Sequence, residues 1–234
     1  MSLQMNSSGP NASEMHARSR RRRLYPLHLL LRPLGYLEYT DVYTFELQAE
    51  LPEVRLKPGY TIVQANAADI DEIAANLPRD EPAGVLGTLF AQGHHCFVAK
   101  FGGRVVAYNW IAFTPVQEEE YACTPAPEEA ICLNAYTAPE HRGKGLHYAL
   151  LLSMLHFAKR SGKTLAYTAV SLLNETSWKT HVRMGWRLAF TIWYFRPNFT
   201  LRRLPWVLKP GRPPIAVDWS RHSWISAEKG EGAR

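Results

Sequence analysis

Pro139-Glu140-His141-Arg142-Gly143-Lys144-Gly145 joins two unlike runs. Before it, Ile131 to Thr137 is apolar and rich in β-formers; after it, Leu146 to Arg160 is amphipathic. Two glycines, an arginine and a lysine therefore fall where a strand hands over to a helix N-terminus. Small residues let a backbone approach a ligand closely. The unpaired amides of a first helical turn point outward, and the helix dipole favours negative charge there. Such a turn can hold phosphates on main-chain N–H groups; an ordinary strand-to-helix connection could use the same glycines for turning alone. A second group lies downstream. Asn174, Trp178 and His181 are spaced four and three apart and share one helix face. Histidine gives and takes protons near neutral pH.

These groups need elements to position them. Leu150, Met154 and Phe157 follow one line of the helix after the turn, and Leu151, Leu155 and Ala158 the next. That apolar stripe packs the helix on a sheet, Lys159 and Arg160 complement its C-terminal dipole, and Gly162 stops it. Asn174 is a suitable N-cap and Gly185 a stop for the helix carrying His181. The expected strands are Val42 to Leu47 (an edge addition, or a strand outside the main domain), Tyr60 to Ala65, His95 to Lys100, Arg104 to Phe113, Thr164 to Val170 and Trp186 to Phe195. Phe101-Gly102-Gly103 reads as a tight hairpin. Asn66 precedes a helix over Ala67 to Ala75, and Pro82 to Gln92 reads as a short one. Glu118 to Glu120 and Thr124 to Glu129 read as a polar, Pro-containing loop, within the longer loop Val116 to Glu129. The order is α/β with an antiparallel section and at least one β-α-β crossover.

The composition bounds the rest. The 234 residues suffice for one sizeable core with extensions. Net charge is +5 over residues 1–32, −3 over 33–199 and +4 over 200–234, so the basic character lives in the two ends. No specific nucleic-acid partner is expected of the core. Residues 1–17 read as disordered and 1–23 as a basic tail. The cluster Arg18 to Arg23 against the apolar run from Leu24 suits peripheral contact with an anionic membrane through Arg18–Leu37, an organelle leader, or a solvated tail leading into a docking helix. No apolar run reaches the length of a membrane span. Three scattered cysteines, Cys96, Cys123 and Cys132, fit no disulfide framework or metal site. They fit a reducing compartment, and a cytoplasmic location is expected.

Taken together, the hairpin, the Arg-Gly-Lys-Gly turn, the long helix and the Asn-led helix resemble the GNAT superfamily of acyl-CoA-dependent N-acyltransferases. The likeness covers about Tyr60 to Phe195. The motif R/Q-x-x-G-x-G/A aligns with Arg142-Gly143-Lys144-Gly145-Leu146-His147, with His147 at the final small position. Tyr136-Thr137-Ala138-Pro139-Glu140 fits the lead-in. Asn174 and Met184-Gly185-Trp186 fit the family's second signature.

The resemblance implies a single domain with a mixed, mostly antiparallel central sheet flanked by helices. The core domain spans 60–196, between an extension at 24–59 and an irregular one at 197–234. It implies acetyl-CoA, or another short acyl-CoA, as co-substrate, no metal, and a small-molecule or peptide amine as acceptor. The strand ending at Tyr136 and Thr137 splays from its neighbour and pairs with the pantetheine arm. Arg142, Gly143, Lys144, Gly145, Leu146 and His147 cradle the pyrophosphate, and Asn174 touches the cofactor arm. His147 either meets a phosphate or lies aside from it. His181 stands where the family often places a tyrosine acid. It could protonate the CoA thiolate, or be a packing residue beside a water that does so. No residue stands out as the base: Glu128, Glu129, His94, His95 and a water relay are all open. Asn134 and Tyr136 either line the cleft or support the strand. The alternative to an enzyme is a catalytically silent acyl-CoA-binding module docked on a membrane or partner; a homodimer is also compatible.

Overall fold

A computed structural model describes residues 25–26, 29–30, 33–48, 50–77, 84–117, 122–171, 173–197, 204–208 and 216–218. The expected disordered tail, just over half of the proposed membrane-contact segment and the chain's last residues lie outside these. Among the described residues, no helix is long and apolar enough to cross a membrane. In chain order the elements are β1 (Gly35–Glu46), β2 (Tyr60–Gln64), α1 (Ala67–Asn76), α2 (Val85–Ala91), β3 (His95–Phe101), β4 (Arg104–Ala112), β5 (Val116–Gln117) and β6 (Ala122–Thr124). There follow β7 (Glu129–Thr137), a 3-10 turn (Pro139–His141), α3 (Leu146–Arg160), β8 (Leu165–Ser171), α4 (Glu175–Arg183), β9 (Arg187–Pro197), β10 (Leu204–Leu208) and β11 (Ala216–Asp218). The chain divides into two compact units at Thr44/Phe45, Thr168/Ala169 and Arg212/Pro213.

The unit containing residues 45–168 holds the strand order β2-β3-β4-β7-β8. Its ladders are antiparallel except for the last, where Glu129–Cys132 runs parallel to Leu165–Thr168. α3 supplies the crossover between those parallel strands, and it buries Leu146, Ala149, Leu150, Leu151, Leu152, Met154, Leu155 and Ala158. That matches the stripe read from the sequence. Each such large side chain contributes about 1.5–3 kcal/mol when fully removed from water. A second core forms where Ile70, Ile73 and Leu89 of the first two helices meet Val98, Tyr108 and Trp110 of the sheet. The three cysteines are buried free thiols.

α1 begins as its sequence demands. The Asn66 side chain accepts from the Asp69 amide at 3.1 Å, and Asp69 returns the contact to the Asn66 amide at 3.1 Å. Burial alone would raise the Asp69 carboxyl, but Lys100, 2.6 Å away, and the Asn66 amide outweigh it and hold it below its ordinary value. Asn66→Ala removes one half of this reciprocal cap and should destabilise the protein by about 1 kcal/mol. A lower urea midpoint with an unchanged slope would report that loss.

In the other unit β1 and β10 both pair antiparallel with β9. β1 starts at Gly35, earlier than the expected Val42, because Glu38, Thr40 and Asp41 conceal its alternation. Two stretches expected to be irregular carry strands. Leu204–Leu208 is a β10 edge, where Pro205 is tolerated because only one side must pair. The 118–129 loop region contributes β6, which joins β5 and β11 in a small three-stranded sheet. Strands of two and three residues leave no period to read.

Candidate active site

The turn between β7 and α3 is built from its own backbone outward. Ala138 is buried, and its amide donates to the Val106 carbonyl at 2.9 Å, fixing the strand's exit. His141 and Arg142 amides bond back to Ala138 and Pro139, closing the 3-10 turn. Gly143 and Gly145 then take φ of 70° and 81°. This left-handed region costs a side-chain-bearing residue about 1–3 kcal/mol. A Cβ at either glycine would meet nothing within 4 Å, so open space lies in front of both. Gly145 is the N-cap of α3 and offers no side-chain cap, and no acidic residue stands in the helix's first turn. The amides of that turn and its dipole are left for an anion.

The side chains of the motif mostly brace the turn. Arg142 Nε donates to the Thr137 carbonyl at 3.0 Å, and Lys144 Nζ to the Glu140 carbonyl at 2.8 Å. Lys144 also lies over the Tyr60 ring, 5.8 Å from its centre. Leu146 is buried, so what it can offer a ligand is its amide. Burial holds the His147 imidazole down to a pKa of about 4. At neutral pH it can bring an N–H to an anion, but not a charge.

Sequence reasoning missed what holds the turn in place. The Tyr60 hydroxyl and His141 Nδ1 share a 2.8 Å hydrogen bond across 81 positions of sequence. Phe101 packs on both rings, 4.8 Å from Tyr60 and 5.4 Å from His141. No local signal announces such a latch; only the pairing of β2 with β3 brings Tyr60 opposite Phe101.

Upstream, β7 carries a bulge. Tyr108 pairs with Tyr136 and Trp110 with Leu133, so β7 uses one residue more than β4 between those pairs. Asn134 takes up the difference at φ 49°, a left-handed conformation asparagine tolerates. The Trp110 amide is satisfied by the Asn109 side chain at 3.0 Å. The Tyr136 ring stacks on Tyr108 at 5.8 Å. Among the candidate bases, Glu129 accepts from the Tyr167 hydroxyl at 2.9 Å and from the Ala126 amide at 2.8 Å, anchoring the start of β7. Glu128 is exposed. His95 meets Gln64 at 3.2 Å and Phe157 edge-on at 4.8 Å. His94 is buried, and its pKa is lowered by burial, against the opposing pull of the Pro115 carbonyl.

The second group sits on α4. Asn174 is its N-cap, accepting from the Ser177 amide at 3.1 Å. Trp178 and His181 are buried on the expected shared face, while Asn174 is exposed at the helix start. His181 Nδ1 lies 2.8 Å from the Ser177 carbonyl. The Tyr43 ring stacks nearly parallel to the imidazole, 6.3 Å between centres, and Trp186 meets it edge-on at 5.2 Å. Asp41, buried on the same strand as Tyr43, accepts from Thr191 Oγ1 at 2.7 Å and from the Tyr43 hydroxyl at 3.4 Å. Neither Asp41 nor Tyr43 was singled out from the sequence, because 150 positions separate Asp41 from Thr191.

The family model described as acetyltransferase (GNAT) family matches residues 68–186, half of the 234. The GCN5-related N-acetyltransferase from Sphaerobacter thermophilus aligns with TM-score 0.54 at 13% identity, over 74% of this chain and 56% of that one. A protein placed in the GNAT family from Novosphingobium aromaticivorans gives 0.51 at 20% identity, over 69% and 65%. A GNAT-family acetyltransferase from Colwellia psychrerythraea gives 0.51 at 16%, over 74% and 62%. The chain spans less than two thirds of the length of these solved structures, and at such identities the likeness is one of fold. No curated protein matches it.

Proposed function

The chain belongs to the GNAT acetyltransferase family, and on that premise we propose that it moves an acetyl, or another short acyl, group from acyl-CoA to the amine of a small molecule or peptide. The observation that carries the reading is the open, acid-free helix start at Gly143–Gly145, inside the span the family model matches.

A pyrophosphate fits that site on physical grounds. Gly143 and Gly145 keep side chains off the phosphate oxygens, and the amides of Gly145, Leu146 and His147 donate. Arg142, braced through Nε, and Lys144, braced through its terminal Nζ, add positive potential at the rim. Tyr136 and Thr137 offer strand backbone to the pantetheine arm, and Asn174 offers its side-chain amide to the cofactor. The amine attacks as the neutral base, and the thioester carbonyl becomes a tetrahedral oxyanion steadied by strand N–H groups. His181 handles the proton that the departing thiolate needs.

The experiment is acceptor-dependent thiol release from acetyl-CoA across a panel of amino acids, amino sugars, polyamines and peptide N-termini. Free thiol appearing with at least one amine supports transfer. No release with any amine, from protein that binds acetyl-CoA, would leave a binding module instead. Tyr60→Phe should raise the acetyl-CoA dissociation constant about fivefold, the worth of one hydrogen bond of roughly 1 kcal/mol, with kcat unchanged. Titration and saturation kinetics separate the two effects.

A further inference from the structure

Phe101 ends β3 as a large apolar ring left 45% exposed. Three neighbours hold it nonetheless. The Tyr60 ring lies 4.8 Å from its centre and the His141 ring 5.4 Å, and those two are tied to each other by their 2.8 Å hydrogen bond. Gly59, at φ 85°, is the third: a Cβ there would come within 2.8 Å of Phe101 Cε2, so glycine is what lets the ring lie where it does. The result is an aromatic surface that faces solvent and is already fixed in place.

Its position is specific. His141 stands two positions before Gly143, at most about 7 Å of chain. Arg104, exposed, pairs with Phe101 across the hairpin. Lys144 Nζ lies over the Tyr60 ring at 5.8 Å, and the exposed Lys57 closes the turn into β2, its carbonyl accepting from the Tyr60 amide at 3.3 Å. Across 57–64, 95–112 and 139–145 the basic residues are Lys57, Lys100, Arg104, Arg142 and Lys144, and the one acid is Glu140. Lys100 is engaged by Asp69 at 2.6 Å. All of these residues belong to one compact unit, that of residues 45–168.

We propose that Phe101 is the platform on which the adenine ring of acyl-CoA stacks, one ribose away from the pyrophosphate on the Gly143–Gly145 turn. This deepens the acyltransferase reading above and rests on it. Every nucleobase offers a π-face, and an aromatic side chain that is already held loses little freedom when a base stacks on it. The surplus of basic residues favours the nucleotide end of CoA, which carries a further phosphate on its ribose. The Tyr60–His141 bond then has a second consequence. It sets the platform and the phosphate turn in a fixed relation, so adenine and pyrophosphate meet a preorganised surface.

The test is titration of the full chain with CoA and, separately, with 4′-phosphopantetheine, which has the same arm but no adenosine. Phe101→Leu keeps an apolar group against Tyr60 and His141 and removes the π-face. It should raise the CoA dissociation constant about tenfold, within the usual worth of one stacked base, and leave that of 4′-phosphopantetheine unchanged. Tyr148, 39% exposed in the first turn of α3, serves as the control: Tyr148→Ala should change neither constant. If Phe101→Leu fails to fold, the unaltered chain saturated with CoA decides, where nuclear Overhauser contacts are expected between the Phe101 ring and adenine H2 and H8. Unchanged CoA affinity in folded Phe101→Leu, equal weakening of both ligands, a loss confined to Tyr148→Ala, or absence of those contacts overturns the inference. An unaltered chain that binds neither ligand would instead overturn the acyltransferase reading beneath it.

Discussion

Gly145→Glu is expected to abolish acetyl-CoA binding at any concentration practical for titration. Two effects combine. The φ of 81° at this N-cap strains any side-chain-bearing residue, shifting the first turn whose amides face the ligand. The larger effect is charge. Two unit charges about 4 Å apart repel by about 4 kcal/mol at an effective dielectric near 20, which is roughly 10³-fold in affinity. The same carboxylate is favourable to the helix dipole, so the protein's own stability should fall by less than the backbone strain alone suggests. Gly145→Ala separates the two contributions: it keeps the strain, lacks the charge and should bind weakly but measurably. Unchanged affinity in the glutamate variant would mean that the pyrophosphate does not sit at this turn.

The second large effect is expected at His181. His181→Ala should lower kcat by about 10²–10⁴-fold, the usual worth of a positioned proton-transfer group, and leave the acetyl-CoA dissociation constant unchanged. The substitution also empties a buried site beside Tyr43 and Trp186, so the fraction folded must be measured alongside the kinetics. A drop in kcat with an intact denaturation midpoint assigns the loss to chemistry. Full activity in the folded variant would reduce His181 to a packing residue and leave the thiolate to water.

The parts legible in the sequence were those whose signal is local. α3 announced itself through its apolar stripe and final glycine, α1 through Asn66 and Asp69, and the β3–β4 hairpin through Gly102-Gly103. The turn at Gly143–Gly145 could be read because its requirement, positive φ at a helix start, is met by residue type alone. What stayed hidden depends on partners far apart in the chain. The Tyr60–His141 latch and the Asp41–Thr191 contact have no period and no spacing rule. Residue type also leaves part of a role unsaid: Arg142 and Lys144 each spend a donor on a main-chain carbonyl of their own turn. Glu129, a candidate base by its charge, is committed to Tyr167 and Ala126.

The central claim is that this chain binds acyl-CoA through the glycine turn before α3. Isothermal titration of the folded, unaltered protein with acetyl-CoA tests it most directly. The account predicts saturable heat with one site per chain, competed by free CoA and lost in Gly145→Glu. No heat at millimolar acetyl-CoA, from protein whose folding is verified in the same sample, would contradict it.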